Sequence, residues 1–212
     1  MIKLTHGRIT LALHELRSGD GRPLLHLHGL AMRSPEAVPD DLTAWPGPVY
    51  ALDFTGHGDS TVPAGGGYSA EVLIGDADAA IEHIGEVTLV GRGLGAYIAL
   101  MTAGARADAV RGAILCDGPG ISGGGSTPGT PQVVHVAPGA PSPPDPYAVA
   151  ELSRDLRPPD YAQLFARLAV DGSPVPTPVA VCARSRPDWL RAVTEEPGVI
   201  VCSVDDALRT YA

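Results

Sequence analysis

No apolar run in the sequence approaches the roughly 18 residues that a membrane-spanning helix needs, and the opening MIKLTHGRIT holds no uninterrupted apolar stretch of the signal-peptide kind. A soluble, cytoplasmic protein without a membrane partner is the expectation. Positive charge is scarce: 15 Lys and Arg stand against 24 Asp and Glu, a formal charge of −9, and Lys3 is the one lysine. That balance repels phosphates, so no nucleic-acid partner is expected. Cysteine is scarce too. Cys116, Cys182 and Cys202 each sit inside an apolar β-like run, a pattern of buried thiols rather than of a disulfide framework or a metal cluster. No metal and no cofactor are expected.

What is present suffices for one well-filled domain: 212 residues, 44% of them hydrophobic. Residues 9–16 alternate as a half-buried strand does, and Gly19-Asp20-Gly21 turns them toward a second strand at 24–28. Short apolar runs at 49–53, 87–90, 112–116, 179–182 and 199–202 read as strands buried on both faces. Helical stripes lie between them at 70–84, with Ser69 as N-cap, and at 94–105 and 188–193. Strands alternating with helices imply an α/β fold, a mostly parallel central sheet wrapped by helices on both sides. Gly and Pro make up 15 of the 29 residues from Gly118 to Pro146, which excludes a regular helix or central strand there. Residues 133–136 could add a small strand within it. Two helical pieces at 147–156 and 160–170 follow, so 118–174 reads as a loop with a small helical lid, and 1–117 with 175–212 as the core. Residues 203–212 carry a Ser-x-x-Asp capping signal and form a short last helix.

Three ordered motifs carry chemistry. They are LLHLHGL at 24–30, ALDFTGHGDST at 51–61 and VTLVGRGLGAYIAL at 87–100. Together they resemble the α/β-hydrolase superfamily: a strand with a His-Gly turn, an Asp-x-x-Gly-His-Gly-x-Ser loop, and the strand, elbow and helix that carry the nucleophile. The resemblance implies an oxyanion hole built from the backbone amides of Leu30, after His28 and Gly29, and of Leu94, at the start of its helix. It assigns Asp53, His57 and Ser60 a scaffolding role.

The sequence departs from that family at two places. The elbow reads Gly91-Arg92-Gly93-Leu94-Gly95, so Gly93 stands where GxSxG has its serine, and glycine has no atom that can attack a carbonyl. The base normally follows the last core strand, but the histidines are at 6, 14, 26, 28, 57, 83 and 135. For the acid, Asp188 and Asp117 are candidates, each read more readily as a helix cap or turn carboxylate. The pattern resembles a reduced, non-catalytic member of the superfamily, as the N-myc downstream-regulated proteins are. A pseudohydrolase that binds a small ligand or a protein partner is therefore expected, with an ester or amide hydrolase of unconventional or residual activity as the alternative.

A ligand site would use His28, Gly29, Leu30, Arg92, Gly93 and Leu94, where Arg92 either holds an anion or simply faces solvent. His135 would serve as a replacement base only if its loop folded over the elbow, and Cys116 reads as packing before it reads as a substitute nucleophile. Residues 91–96 also satisfy GxGxxA with Asp117 21 residues beyond Ala96, the spacing of a dinucleotide site with its ribose-binding acid. Val204, Leu208 and Tyr211, at helical spacing in the tail, would suit a homodimer or partner contact.

Overall fold

The architecture follows from how the apolar runs pair. A computed structural model describes residues 1–127 and 143–212, so the 133–136 strand and His135 lie outside the described residues. Eight strands form one sheet: β1 (Ile2–His6), β2 (Ile9–Arg17), β3 (Leu24–Leu27), β4 (Val49–Asp53), β5 (Val87–Arg92), β6 (Val110–Cys116), β7 (Val179–Val181) and β8 (Val199–Val201). Their order is β1-β2-β4-β3-β5-β6-β7-β8. The first three neighbours pair antiparallel, and every pairing from β4 onward is parallel, giving the expected mostly parallel sheet.

The sequence reading did not find β1. It is an edge strand with one half-buried face, and it joins β2 through Gly7, whose φ of +58° suits the tight turn. Both faces of the inner strands are covered, which is why their sequences run apolar without alternation. Leu25, Leu27, Leu89, Leu115 and Val181 face α1 (Ala70–Ile84), α2 (Leu94–Ala105), α4 (Pro159–Gly172) and α5 (Asp188–Thr194). Leu24, Val90, Ile114 and Ala180 face the other way, toward Leu42 of a 3₁₀ turn (Asp40–Leu42), Trp45 just after it, and α6 (Val204–Tyr211).

Within the segment expected as a lid, residues 146–172 pack as two helices. α3 (Pro146–Leu152) buries Ala148 and Leu152, and Glu151 accepts the backbone amides of Gly67 and Tyr68. α4 turns Ala162, Ala166 and Ala169 inward against α2 and α5 and leaves Tyr161, Leu164 and Leu168 exposed. Small side chains permit the close approach: a Cβ on Gly104 of α2 would lie 2.5 Å from the Phe165 carbonyl oxygen. α4 thus packs onto the layer that α2 and α5 form over the sheet.

In the C-terminal tail, Leu208 and Tyr211 are buried in the chain's own core, with the Tyr211 ring over Gly112 and its hydroxyl donating to the Thr177 carbonyl at 2.7 Å, while Val204 is half-buried. Ser203 caps α6 as its sequence requires, its Oγ accepting the Asp206 amide at 3.1 Å, whereas Ser69 occupies its N-cap position without a side-chain bond. Ser203→Ala is expected to cost about 1 kcal/mol, read as a shift in the urea midpoint at unchanged slope.

Candidate active-site position

The elbow is formed by β5 running through Gly93 into α2. Gly93 has φ +58° and ψ −113°, a region that side-chain-bearing residues enter only under strain. Its neighbours must be small: a Cβ on Gly91 would stand 2.1 Å from the Gly95 carbonyl oxygen, and one on Gly95 would stand 2.2 Å from that of Leu27. The sterics that the motif implied are therefore all present around the glycine that replaces the nucleophile.

Leu30 and Leu94 are brought together as expected, and their amides converge on a single oxygen. That oxygen belongs to the chain. Pro119 O accepts from Leu94 N at 2.9 Å and from Leu30 N at 3.0 Å. The Asp117–Gly120 turn after β6 thus crosses the elbow and places its Pro119 carbonyl on both of these amides. It also fills the space above Gly93, where a Cβ would meet Pro119 O at 2.0 Å and the Gly118 carbonyl carbon at 2.5 Å. A Cβ on Gly29 would in turn touch Pro119 Cδ at 2.9 Å. The sequence reading assigned Gly118 and Pro119 only to the start of a Gly/Pro-rich insertion and missed this placement.

The histidines near the motifs are fixed as neutral structural groups. His28 Nδ1–H donates to the Gly29 carbonyl at 2.8 Å while Nε2 accepts the Phe54 amide at 3.2 Å, a tautomer that ties the His-Gly turn to β4. Burial, and then the adjacent His57, push its pKa down to about 3. His57 lies 5.0 Å away, ring to ring, and donates to the Thr55 carbonyl; burial lowers its pKa as well. His26, one turn of the pleat below His28, is held at about 4 by burial and by the Arg92 charge, and its Nδ1 has no partner.

Asp53 works as a clasp. Its carboxylate accepts the Ser34 amide at 2.6 Å, the Asp59 amide at 2.8 Å and His14 Nε2 at 3.0 Å, which holds the two motif loops together. Burial opposes its charge, yet these bonds leave its pKa below the usual carboxylate value. Ser60 Oγ completes the clasp by accepting the Ala12 amide and donating to the Asp53 carbonyl. Ligand atoms of His14, Asp53 and Asp59 come within 4.8 Å of one another, but the Asp53 oxygens are already engaged by those amides.

Both candidate acids take structural roles. Asp117 accepts the amides of Arg184 and Ser185 at 2.8 and 2.9 Å, and Asp188 sits exposed at the first turn of α5, paired with Arg191. In the run that resembles a dinucleotide fingerprint, Asp117 already accepts two backbone amides, the first amide of α2 is taken by Pro119 O, and Gly91 and Gly95 serve packing between strand and helix. Arg92 is neither a free anion hook nor unpaired, because it forms an ion pair with Asp41 beside the 3₁₀ turn. A cavity of about 150 Å³ remains next to it, lined by His26, His28, Gly29, Met32, Pro39 and Arg92 among others.

Comparison with known proteins agrees with this architecture. The profile described as "Alpha/beta hydrolase family" matches residues 24–212. A carboxylesterase structure from the ammonia-oxidizing thaumarchaeon Nitrososphaera gargenis superposes with a TM-score of 0.61 at 13% identity, covering 94% of this chain and 88% of that one. E-2-(acetamidomethylene)succinate hydrolase is 28% identical over 54% of this chain and 43% of its own, with a TM-score of 0.46. The enol-lactonase from Burkholderia xenovorans LB400 is 20% identical over 54% of this chain and 46% of its own, with a TM-score of 0.45. The chain spans only 40–44% of the length of several such matched structures. No curated protein sequence matches it.

Proposed function

Since this chain belongs to the alpha/beta hydrolase family, we propose that it is a non-catalytic member that binds a ligand or partner instead of hydrolysing one. The observation that carries this reading is the Pro119 carbonyl, which occupies both amides of the oxyanion hole above a glycine elbow. Acyl transfer needs an attacking atom, a base to take its proton, and donors aimed at the developing oxyanion. Gly93 supplies no attacking atom. The donors are satisfied before any substrate arrives. In a serine hydrolase, loss of the nucleophile or the base costs on the order of a million-fold in turnover, and loss of one oxyanion donor about 10²–10³.

Binding capacity persists in the cavity beside Arg92. Its volume of about 150 Å³ is on the scale of one aromatic ring. Purified protein is expected to hydrolyse p-nitrophenyl esters at the background rate and to remain unlabelled by a fluorophosphonate probe. Saturable hydrolysis that survives purification to homogeneity and disappears on changing one residue of the elbow region would overturn the reading.

A further inference from the structure

The exposed apolar surface of the chain is gathered at one place. Among the described residues eight large apolar side chains are exposed, and five of them, Tyr147, Leu156, Tyr161, Leu164 and Leu168, fall within residues 147–168. Three of the five share one face of α4. At 3.6 residues per turn, Tyr161, Leu164 and Leu168 form a stripe about 10 Å long, and they are 39%, 46% and 43% exposed. Glutamate, glutamine, lysine and arginine enter helices about as readily as leucine, so helix formation alone does not call for two leucines facing water. Tyr161 also forms one wall of a groove of about 590 Å³ at the N-terminal end of α4. Glu71, Glu151, Asp155 and Asp160 bring four carboxylates to that groove against the one guanidinium of Arg154. Among the described residues none of the four carboxylates forms an ion pair. Burial raises the Asp155 pKa, and the Glu71 charge adds to the rise against the opposing pull of Arg157.

We propose that this face docks a basic amphipathic helix of a protein partner, the apolar side of that helix packed on Tyr161, Leu164 and Leu168 and its Lys or Arg side chains held in the acidic groove. Charge decides among the possible occupants. Anionic membrane surfaces and nucleic acids are repelled by the four carboxylates and by the formal charge of −9 on the chain. A second copy of this chain brings the same sign of charge, since a two-fold contact would present the same acidic groove from both sides. Arg167, the cation between Leu164 and Leu168, is already bonded to Glu196 of its own chain and is not available to answer a partner copy's carboxylates. A basic helix meets neither objection. The spacing of Tyr161, Leu164 and Leu168 is the i, i+3, i+7 pattern by which one helix anchors on another, and complementary charge beside it both steers the encounter and sets the register. The surface shares no residue with the elbow or with the cavity beside Arg92, so it stands whether or not the Gly93 position is catalytic.

The probe is a fluorescein-labelled helical peptide of about 16 residues with leucines along one face and lysines flanking them, titrated with the full chain and followed by fluorescence anisotropy. Saturable binding of one peptide per chain is expected, weakening as salt is raised. Two control peptides, one with glutamate in place of every lysine and one of the same composition shuffled to lose the apolar face, should each bind more than about tenfold more weakly. Leu164→Ser with Leu168→Ser should weaken the lysine peptide by about tenfold or more. Glu71→Gln with Asp160→Asn should weaken it by about threefold or more and flatten its salt dependence. All four of these side chains are exposed, so the variants keep the parent's circular dichroism and thermal midpoint to within a few degrees. Carbodiimide coupling should join peptide lysines to Glu71 or Asp160. Absence of saturable binding, equal binding of either control peptide, or a leucine variant that binds as the parent does would each overturn the proposal. So would a homodimer at micromolar concentration that Leu164→Ser with Leu168→Ser dissolves, because the face would then belong to a second copy.

Discussion

Gly93→Ser is expected to lower the thermal midpoint by at least about 4 °C and to produce no ester turnover above background. The new Cβ would stand 2.0 Å from Pro119 O and 2.6 Å from Gly118 O, and both are backbone atoms that cannot rotate away. Overpacking of this kind costs about 1–3 kcal/mol and the strained φ and ψ about another 1–3, a total of about 2–6 kcal/mol; for a domain of this size each kcal/mol shifts the midpoint by about 2–4 °C. The Gly118-Pro119 turn can escape only by giving up the Leu30 and Leu94 bonds, which reopens the oxyanion hole but supplies no base. A Gly93→Ser protein as stable as the parent would mean that the turn does not cover the elbow. Enzyme-like ester hydrolysis by the same protein would mean that a base lies close by.

Acid is expected to destabilise the protein well before its carboxylates titrate. His26 and His28 are held neutral by burial, with pKa values lowered to about 4 and about 3, and that of His57 is lowered by the same cause. The unfolded chain takes up protons at these side chains near pH 6.5, while the folded chain does not until far lower pH. Their contribution to stability is therefore complete above about pH 6.5 and is lost as the pH falls from there toward the folded values. With two to three protons taken up on unfolding at about 1.4 kcal/mol per proton per pH unit, going from pH 6.5 to 5 removes on the order of 4 kcal/mol, a large share of the 5–15 kcal/mol of a typical domain. Asp76, whose burial raises its pKa, works in the opposite sense at the acid end. Asp53, whose pKa is lowered, adds its own loss only below about pH 4. Urea midpoints at pH 7.5 and 5.0 test this directly, and equal midpoints at equal slope would show that the three imidazoles are not buried as described.

What the sequence determined by itself was local and periodic. The helices at 70–84 and 94–105 stand where their stripes placed them, because amphipathic spacing is read within a few turns of chain. The elbow was legible for the same reason, since GRGLG encodes a tight turn whose sterics involve its own neighbours and the next strand. That a glycine, Gly93, stands at the centre of this turn could be read without a fold. The tertiary structure decided everything that depends on which segments become neighbours. α4 carries both an alanine face and a leucine-rich face, and only the closeness of α2 selects the small one for burial. Tyr211 looked free for a partner until Gly112 provided the space beneath its ring. The Pro119 carbonyl reaches Leu30 and Leu94 across about 89 and 25 residues of chain, and three cysteines separated by 66 and 20 positions become adjacent only through the register of β6, β7 and β8. A propensity or a turn rule acts over a few residues, whereas strand order and register are set by the joint packing of the whole sheet, and it is there that both the pairing of two distant amides on Pro119 O and the row of thiols arise.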